Sequence, residues 1–296
     1  MKVQEPAALC ETGARPRGHN RAAARAQPPR WENQSTMAAN EDQHIVVSTH
    51  ESICRIRFNR PKKKNAISRA MYTRMADALA DADSDNAVRV ILLEGSEGCF
   101  TSGNDIRDFM NDPVVDQGSP VGRFLDALST ARKPVVVAVT GIAIGIGTTL
   151  LLHCDLVYAS EKASFHMPFV NLGLVPEFGS SLILPAQLGH RRASELLMLG
   201  KAFDAETARE CGIINAAVAE DRVVATALDA ARALAAQPPA ALRRTKALMR
   251  TGAADALRAR IKLEGEHFAA MLSAPEAIEA FTALLEKREP DFSRFE

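Results

Sequence analysis

Residues typical of metal-binding, disulfide-linked and nucleic-acid-binding proteins are scarce in this sequence. The five cysteines are scattered without a Cys-x-x-Cys pair, which argues against a zinc site or a disulfide framework and for a reducing compartment. There are one Trp and two Tyr, and 36 basic residues balance 36 acidic ones. Because such a chain has no net field to attract a polyanion, we expect no nucleic-acid partner. The cysteine spacing likewise leads us to expect no metal.

Long uninterrupted apolar runs are also missing. The longest run, residues 134–152, contains Thr140 and three glycines and is bounded by Lys133 and Asp155. This pattern predicts a buried strand followed by a helix, and no membrane span. The same run contains GxxxGxG rather than GxGxxG and has no phosphate-loop lysine, so binding of a dinucleotide or a nucleoside triphosphate is poorly supported.

The first 43 residues differ in composition from the rest of the chain. They are rich in Ala, Arg and Pro and have no sustained apolar period, which is typical of a disordered extension. An arginine-rich leader also fits a mitochondrial transit peptide, but Glu5, Glu11 and Glu32 argue against one. We expect a cytoplasmic protein of bacterial type, with mitochondrial and peroxisomal locations as alternatives. Met37 is an alternative native start.

Strand and helix patterns alternate between residues 44 and 235. HIVVSTH and ICRIRFN predict a hairpin, VRVILLEGS and PVVVAVTG predict buried strands, and AMYTRMADALADADSD and VGRFLDALSTA predict amphipathic helices. Beyond Pro185 the strand patterns largely stop and successive helices follow. The order predicts an α/β core over residues 44–235 and a helical region over residues 236–296.

Glu177 is the one carboxylate in the apolar, glycine-punctuated segment SFHMPFVNLGLVPEFGSS. Burial among such neighbours would disfavour the charged form and raise the pKa of the carboxyl group towards neutrality, as a general base requires. The alternative is an exposed loop acid beside Pro176. Perturbed acids mark functional sites only in a fraction of cases, so the segment alone leaves both interpretations open.

Two glycine-containing turns follow predicted strands. VTGIAIGIGTTLL and CFTSGNDIRDF each point backbone N–H groups away from a strand end, and in the first a helix N-terminus near Gly145 adds positive potential. Two such turns can converge on one oxygen and form an oxyanion site. Glycines that merely allow close packing of strand on helix are the alternative for either turn.

These segments together resemble the crotonase superfamily, the enoyl-CoA hydratase/isomerase fold, from about His44 to Phe295. FNRPKKKNAIS is similar to the first coenzyme-A-binding segment of the family, CFTSGNDI to its first oxyanion strand end, and AFTALLEKR to its C-terminal tail. The resemblance implies a crotonase-like ββα spiral core with a C-terminal helical trimerisation region. It also implies a homotrimer or a dimer of trimers.

The resemblance further assigns roles to individual residues. Asn104 and Ile146 would donate two backbone N–H groups to the thioester oxygen of an acyl-CoA substrate. Coenzyme A is then part of the substrate, and no separate cofactor is expected. The residues expected to contact coenzyme A or the acyl group are Lys62, Lys63, Lys64, Asn65, Ala66, Ser102, Gly103, Asn104, Asp105, Ile106, Phe169, Phe281 and Lys287.

Two carboxylates of the family hydratases are absent, since Thr149 and Phe169 stand at the matching positions. Hydration needs one group to activate water and another to deliver the proton to the α carbon, whereas moving a double bond needs a single base. SGND, FHxPF and PExxSS are similar to segments of peroxisomal-type Δ3,Δ2-enoyl-CoA isomerases. This implies such an isomerase with Glu177 as its base. An enoyl-CoA hydratase or another family lyase is the first alternative, and a non-catalytic CoA- or RNA-binding relative the second.

Truncation at the two ends should have opposite effects. Deleting residues 1–36 should leave assembly and turnover unchanged, because that segment has too little apolar content to join a core. Deleting residues 278–296 should weaken both assembly and coenzyme A binding, as the family resemblance implies. Size-exclusion chromatography with a coenzyme A titration measures both properties. Dissociation of the first variant, or wild-type behaviour of the second, would reverse the assignment.

Overall fold

Nine strands form two separate sheets in the computed structural model, which describes residues 43–106, 108 and 118–295. The larger sheet contains β1 (Ile45–His50), β2 (Ile53–Phe58), β3 (Val90–Glu94), β4 (Val135–Val139), β6 (Leu156–Ser160) and β9 (Ala216–Val218). The smaller contains β5 (Ile142–Ile144), β7 (Ser164–His166) and β8 (Phe203–Asp204). The extension predicted over residues 1–43 lies, except for residue 43, outside the described residues.

The strand order of the larger sheet is β1-β2-β3-β4-β6-β9. The pair β1 and β2 is antiparallel, which confirms the predicted hairpin. The remaining neighbours are parallel, with Leu92 of β3 paired between Arg55 and Val136. Every residue of β3 and β4 is buried, as expected for central strands of a parallel sheet that is covered on both faces.

Helices cover the two faces of this sheet. The predicted amphipathic helices are present as α1 (Arg69–Ser84) and α2 (Pro120–Thr130), and α1 and α2 pack on each other. Helix α7 (Val223–Ala235) covers the opposite face, where its alanines pack against Leu92 and Val136. The other helices are α3 (Ile146–Thr149), α4 (Ser180–Leu188), α5 (His190–Met198), α6 (Ala205–Glu210), α8 (Pro239–Arg250), α9 (Ala254–Leu272) and α10 (Pro275–Glu286).

The predicted α/β core and helical C-terminal region are confirmed. Beyond Pro185 the strands largely stop, as expected: among the described residues two short ones follow, β8 in the smaller sheet and β9, which extends the larger sheet beside β6. A strand of three residues made mostly of alanine, such as β9, has no visible period of two and could not be predicted. The division between residues 235 and 236 stays a prediction.

No helix taken singly, within the part of the chain that the structure describes, has the length and apolar content of a membrane span. The helices α9 and α10 reach that content only as a pair bent by 69°.

A buried lysine joins the C-terminal helices to the sheet. Lys246 of α8 donates from Nζ to Asp155 Oδ2 at 2.6 Å and to Lys133 O at 2.7 Å. The same Asp155 oxygen accepts the N–H of Val135 at 2.7 Å, where β4 begins. Lys246 is only 6% exposed, and burial lowers its pKa while Asp155 acts in the opposite direction. This ion pair therefore fixes α8 against the start of the central strand.

Replacing Lys246 by Met should destabilise the protein, because Asp155 would keep its charge and lose the nearer of its two cations, leaving Arg250 at 3.7 Å. We expect the free energy of unfolding to fall by about 2–3 kcal/mol, somewhat less than for a fully buried pair. Urea denaturation measures the difference. Arg244→Met, at an exposed position of the same helix, is the control and should change the value by less than about 0.5 kcal/mol. Identical denaturation curves for wild type and K246M would contradict a stabilising role.

Candidate active site

Glu177 lies in a turn that directly precedes α4. Its side chain is 7% exposed, and Oε1 is buried with no hydrogen-bond partner among the described residues. Burial, and secondarily the charge of Glu264, raise the pKa of Glu177 to about 8. Glu177 is therefore buried and not an exposed loop acid, and a carboxyl with this pKa can accept and return a proton near neutral pH. Its role as a base stays a prediction.

The turn itself has an unusual backbone. Phe178 has φ 58° and Gly179 has φ 72°, a left-handed conformation that is uncommon for a bulky residue such as Phe. The Ser180 hydroxyl donates to Glu177 O at 2.7 Å. A side chain on Gly179 would also clash, since a Cβ there would lie 2.4 Å from Leu257 Cδ1 of α9. The backbone after Glu177 is thus enclosed by packing.

Glu264 is a second buried carboxylate beside this turn, and it was not predicted from the sequence. It is 5% exposed and accepts N–H groups from Gly179 at 2.5 Å and from Ser181 at 2.9 Å, one on each oxygen. Burial raises the pKa of Glu264, and these hydrogen bonds act in the opposite direction. A signal existed in the sequence, because Glu264 falls on the same helical face as Ile261 and Phe268.

The two predicted glycine turns lie against each other. Thr101 forms a bridge with Ala143, and a Cβ built on Gly103 would lie only 2.7 Å from Ile144 O. Gly103 has φ 86°, so both the close approach and the conformation require glycine here. The structure thereby brings together the two turns that precede Asn104 and Ile146.

The backbone N–H groups of Asn104 and Ile146 have no acceptor among the described residues. Ile146 is the first residue of α3, where N–H groups lack partners within the helix. Asn104 and Ile67 form an isolated β-bridge. Its hydrogen bonds are made by neighbouring groups, since the Ile67 N–H donates to Gly103 O and the Asp105 N–H donates to Ile67 O. Donation by both groups to a thioester oxygen stays a prediction.

Tyr72 is hydrogen-bonded to the turn that contains Asn104. Its hydroxyl donates to Asn104 Oδ1 at 2.5 Å, and the side chain is fully buried on α1. Burial, and then the charge of Glu177, raise the pKa of this phenol well above its usual range. The sequence analysis missed Tyr72, because only the folded chain brings α1 beside Asn104.

The predicted coenzyme A segment is joined to the same turn. Lys62, Lys63 and Lys64 are exposed, whereas Asn65 is buried and its side chain bonds within the protein, accepting from Arg60 N–H and donating to Cys99 O, both at 2.8 Å. The Ser102 N–H donates to Lys64 O at 3.0 Å. The exposed lysines thus lie next to the turn, while the buried Asn65 side chain bonds to backbone atoms of Arg60 and Cys99.

Further hydrogen bonds of this region involve Arg60, which donates to Asp105 Oδ2 at 2.6 Å and to Ala66 O at 3.0 Å. Ser102 and Ile106 are partly buried. Binding of coenzyme A by any of these residues stays a prediction.

The remaining predicted contacts are spread over the chain. Phe169 is buried and packs edge-on against Phe268 of α9, with ring centroids 6.5 Å apart. Phe281 lies in the core of its own chain, and Lys287 is exposed with φ 57° at the end of α10. Thr149, at one of the hydratase positions, is fully buried. Their roles towards coenzyme A and the acyl group stay predictions.

The histidines near the site contact backbone carbonyl oxygens of their own chain. His153 Nε2 is 2.7 Å from Phe178 O, and His166 Nε2 is 2.7 Å from Gly200 O. Burial lowers the pKa of His153 to about 4, so its ring is neutral. No three His, Cys, Asp or Glu side chains of the described residues are grouped as metal ligands would be.

Comparison with known proteins identifies the family. Residues 48–294 match the sequence profile of the Enoyl-CoA hydratase/isomerase family. The chain belongs to this family. Its membership in the crotonase superfamily, expected from the residues, is thereby confirmed.

Individual relatives carry more than one activity name. The chain is 33% identical over 256 residues to the 1,2-epoxyphenylacetyl-CoA isomerase of Escherichia coli, covering 84% of this chain and 98% of that protein. It is 37% identical over 183 residues to the peroxisomal enoyl-CoA delta isomerase 3 of Mus musculus, covering 60% of this chain and 57% of that protein. Relatives named as hydratases match as well.

The fold is shared with solved structures. OdaA of Pseudomonas aeruginosa is 51% identical, with a TM-score of 0.81 over 82% of this chain and 99% of that one. Together with the family match, this similarity supports the crotonase fold for residues of the α/β core and the C-terminal helices.

Glu177→Gln should stabilise the protein at alkaline pH. A carboxyl with a folded pKa of about 8 and an ordinary value of 4.5 binds more protons in the folded state. Its stabilising contribution is therefore complete at low pH and is lost as the pH rises from about 4.5 to 8. Glutamine does not ionise. We expect E177Q to exceed wild type in free energy of unfolding by about 2–4 kcal/mol at pH 9, and by much less at pH 5.

Urea denaturation at both pH values measures this difference. Glu161→Gln, at an exposed position, should show little change at either pH. An equal effect of E177Q at pH 5 and pH 9 would contradict the raised pKa.

Proposed function

We propose that the protein is an acyl-CoA double-bond isomerase that converts 3-enoyl-CoA to 2-trans-enoyl-CoA. The observation that carries the proposal is the buried Glu177 carboxyl, with Oε1 unpartnered among the described residues and a pKa near 8. Of Glu177 and Glu264, Glu177 is the one with an unpartnered buried oxygen among the described residues. Glu264, the other buried acid nearby, accepts an N–H group on each of its two oxygens.

The proposed reaction moves one proton within the substrate. Glu177 takes the proton from the α carbon, and the electron pair of that C–H bond forms a dienolate whose negative charge is on the thioester oxygen. The protonated Glu177 then gives the same proton to the γ carbon, which leaves the double bond between the α and β carbons. No external oxidant, reductant or water is consumed.

The dienolate oxygen would be bound by the N–H groups of Asn104 and Ile146. Removing one such donor typically costs about 3 kcal/mol of transition-state stabilisation. Tyr72 would support this arrangement, because its hydrogen bond holds the Asn104 side chain. The positive charge of Lys62, Lys63 and Lys64 would attract the phosphates of coenzyme A. The mechanism uses only protein groups and requires no cofactor beyond the substrate.

An enoyl-CoA hydratase or another lyase of the family is the second candidate. Relatives with hydratase names support it. Thr149 and Phe169 oppose it, because neither supplies the carboxylate that the family hydratases carry at these positions. A non-catalytic CoA- or RNA-binding relative is less favoured, since a buried, unpartnered acid is costly to retain without a chemical role.

We also propose a homotrimer or a dimer of trimers. Large apolar side chains on the C-terminal helices are exposed in the single chain, among them Leu248 at 70%, Met249 at 80% and Ile278 at 51%. Burying such side chains between subunits would remove them from water. Bacterial relatives support a cytoplasmic location.

Glu177→Gln should lower isomerase turnover at least about 100-fold, because the amide cannot accept the proton. The dissociation constant for coenzyme A should stay near the wild-type value. Steady-state assays with 3-enoyl-CoA and isothermal titration with coenzyme A measure the two quantities, and Glu161→Gln is the control. Full turnover of E177Q would reject Glu177 as the base.

Wild-type protein assayed with 2-enoyl-CoA should form little 3-hydroxyacyl-CoA. Efficient hydration by wild type would favour the hydratase.

A further inference from the structure

The turn that carries Glu177 is held in a conformation that its sequence does not favour. Phe178 and Gly179 both have positive φ, 58° and 72°. A bulky residue in this region is strained by about 1–3 kcal/mol and persists only when surrounding contacts determine it. The direction of the Glu177 side chain therefore depends on those contacts.

His153 holds the turn from the side of the core. Its ring stacks on the Phe178 ring, with centroids 3.6 Å apart. Because a carbonyl oxygen only accepts hydrogen bonds, His153 Nε2 carries the proton and donates to Phe178 O. This contact fixes Phe178, but it does not reach the next residues of the turn.

Glu264 holds the turn from the side of α9. One carboxylate oxygen accepts the Gly179 N–H and the other accepts the Ser181 N–H. Arg260, one helical turn earlier, donates to the Ser181 hydroxyl at 3.0 Å. A Cβ on Gly179 would meet Leu257 and Ile261 of the same helix at 2.4 and 3.4 Å. One face of α9 is therefore packed directly on the residues that follow Glu177.

We propose that Glu264 is a positioning residue of the active site, which holds residues 177–181 so that the Glu177 carboxylate faces the acyl group. Glu264 does not touch the substrate in this proposal. It acts through the backbone of the turn. The catalytic consequence rests on the proposed isomerase function, whereas the effect of Glu264 on Glu177 itself does not.

Glu264 also acts on Glu177 through its charge. The ionisable groups facing Glu177 are Glu264 from α9 and Tyr72 from α1, and the neutral His153 lies behind Phe178. Glu264 in turn accepts hydrogen bonds from Ser181 and Gly179 and interacts with the charge of Arg260. Two buried carboxylates near one another disfavour joint ionisation, so the negative charge of Glu264 opposes ionisation of Glu177.

Two substitutions separate position from charge. Glu264→Gln removes the charge and replaces one acceptor by an amide NH2 group, so we expect kcat to fall about 10- to 100-fold and the acid limb of kcat/KM to move to lower pH. Glu264→Asp keeps the charge on a shorter side chain, so kcat should fall while the acid limb stays in place. KM should change little in both. Glu266→Gln, an exposed acid on the same helix, is the matched control and should match wild type.

A titration without substrate tests the coupling independently of the reaction. Carbon-13 NMR of protein labelled at the glutamate carboxyl carbons gives the titration midpoint of Glu177, whose signal is identified by its loss in E177Q. The midpoint should be lower in E264Q than in wild type and unchanged in E266Q. If wild type does not isomerise 3-enoyl-CoA, the proposed function fails and this titration still decides the role of Glu264.

Several results would overturn the proposal. Unchanged kcat in both Glu264 variants would show that the turn does not need the carboxylate. A loss of activity in E264Q with an unmoved acid limb and an unmoved NMR midpoint would reduce Glu264 to a fold-stabilising residue. If E264Q does not fold, E264D still decides the positioning role, since wild-type kcat in that variant would contradict it.

Discussion

Removal of the Glu177 carboxylate from water is the constraint on which the other features of the site depend. A buried carboxylate without a partner either stays protonated or is strongly destabilising. Its neighbours therefore cannot be groups that would solvate it, and the turn has to be held by contacts made one to four residues further along the chain. His153 and Glu264 make those contacts, the first to Phe178 and the second to Gly179 and Ser181.

Much of the fold could be predicted because its elements are long and strongly periodic. The hairpin, the buried strands VILLE and VVVAV and the amphipathic helices each have enough residues for a period of 2 or 3.6 to be visible. The smaller sheet could not be predicted. Its strands β5, β7 and β8 have three, three and two residues, and they form because tertiary packing places them together.

Some residues of the candidate site could likewise be predicted from the sequence, and others could not. Glu177 could be singled out because it is the only acid in an apolar segment, whereas Asn104 and Ile146 come from the family resemblance, and their roles stay predictions. Glu264 is surrounded in sequence by other charged residues, such as Lys262 and Glu266, so its burial depends on which helix face meets the turn. The hydrogen bond from Tyr72 to Asn104 likewise joins residues that only the folded chain brings together.

The close approach of Gly103 to Ile144 O has a consequence for how relatives with this fold can diverge. Since any Cβ at this position would lie 2.7 Å from the carbonyl oxygen, the distance between the two turns is set by main-chain contact and not by side chains. Substitutions can hardly adjust it gradually. In a protein with this backbone, a change of reaction would therefore come from relocating acids and bases around the two turns, and the identity of the nearby side chains is more informative about the chemistry than the shape of the turns.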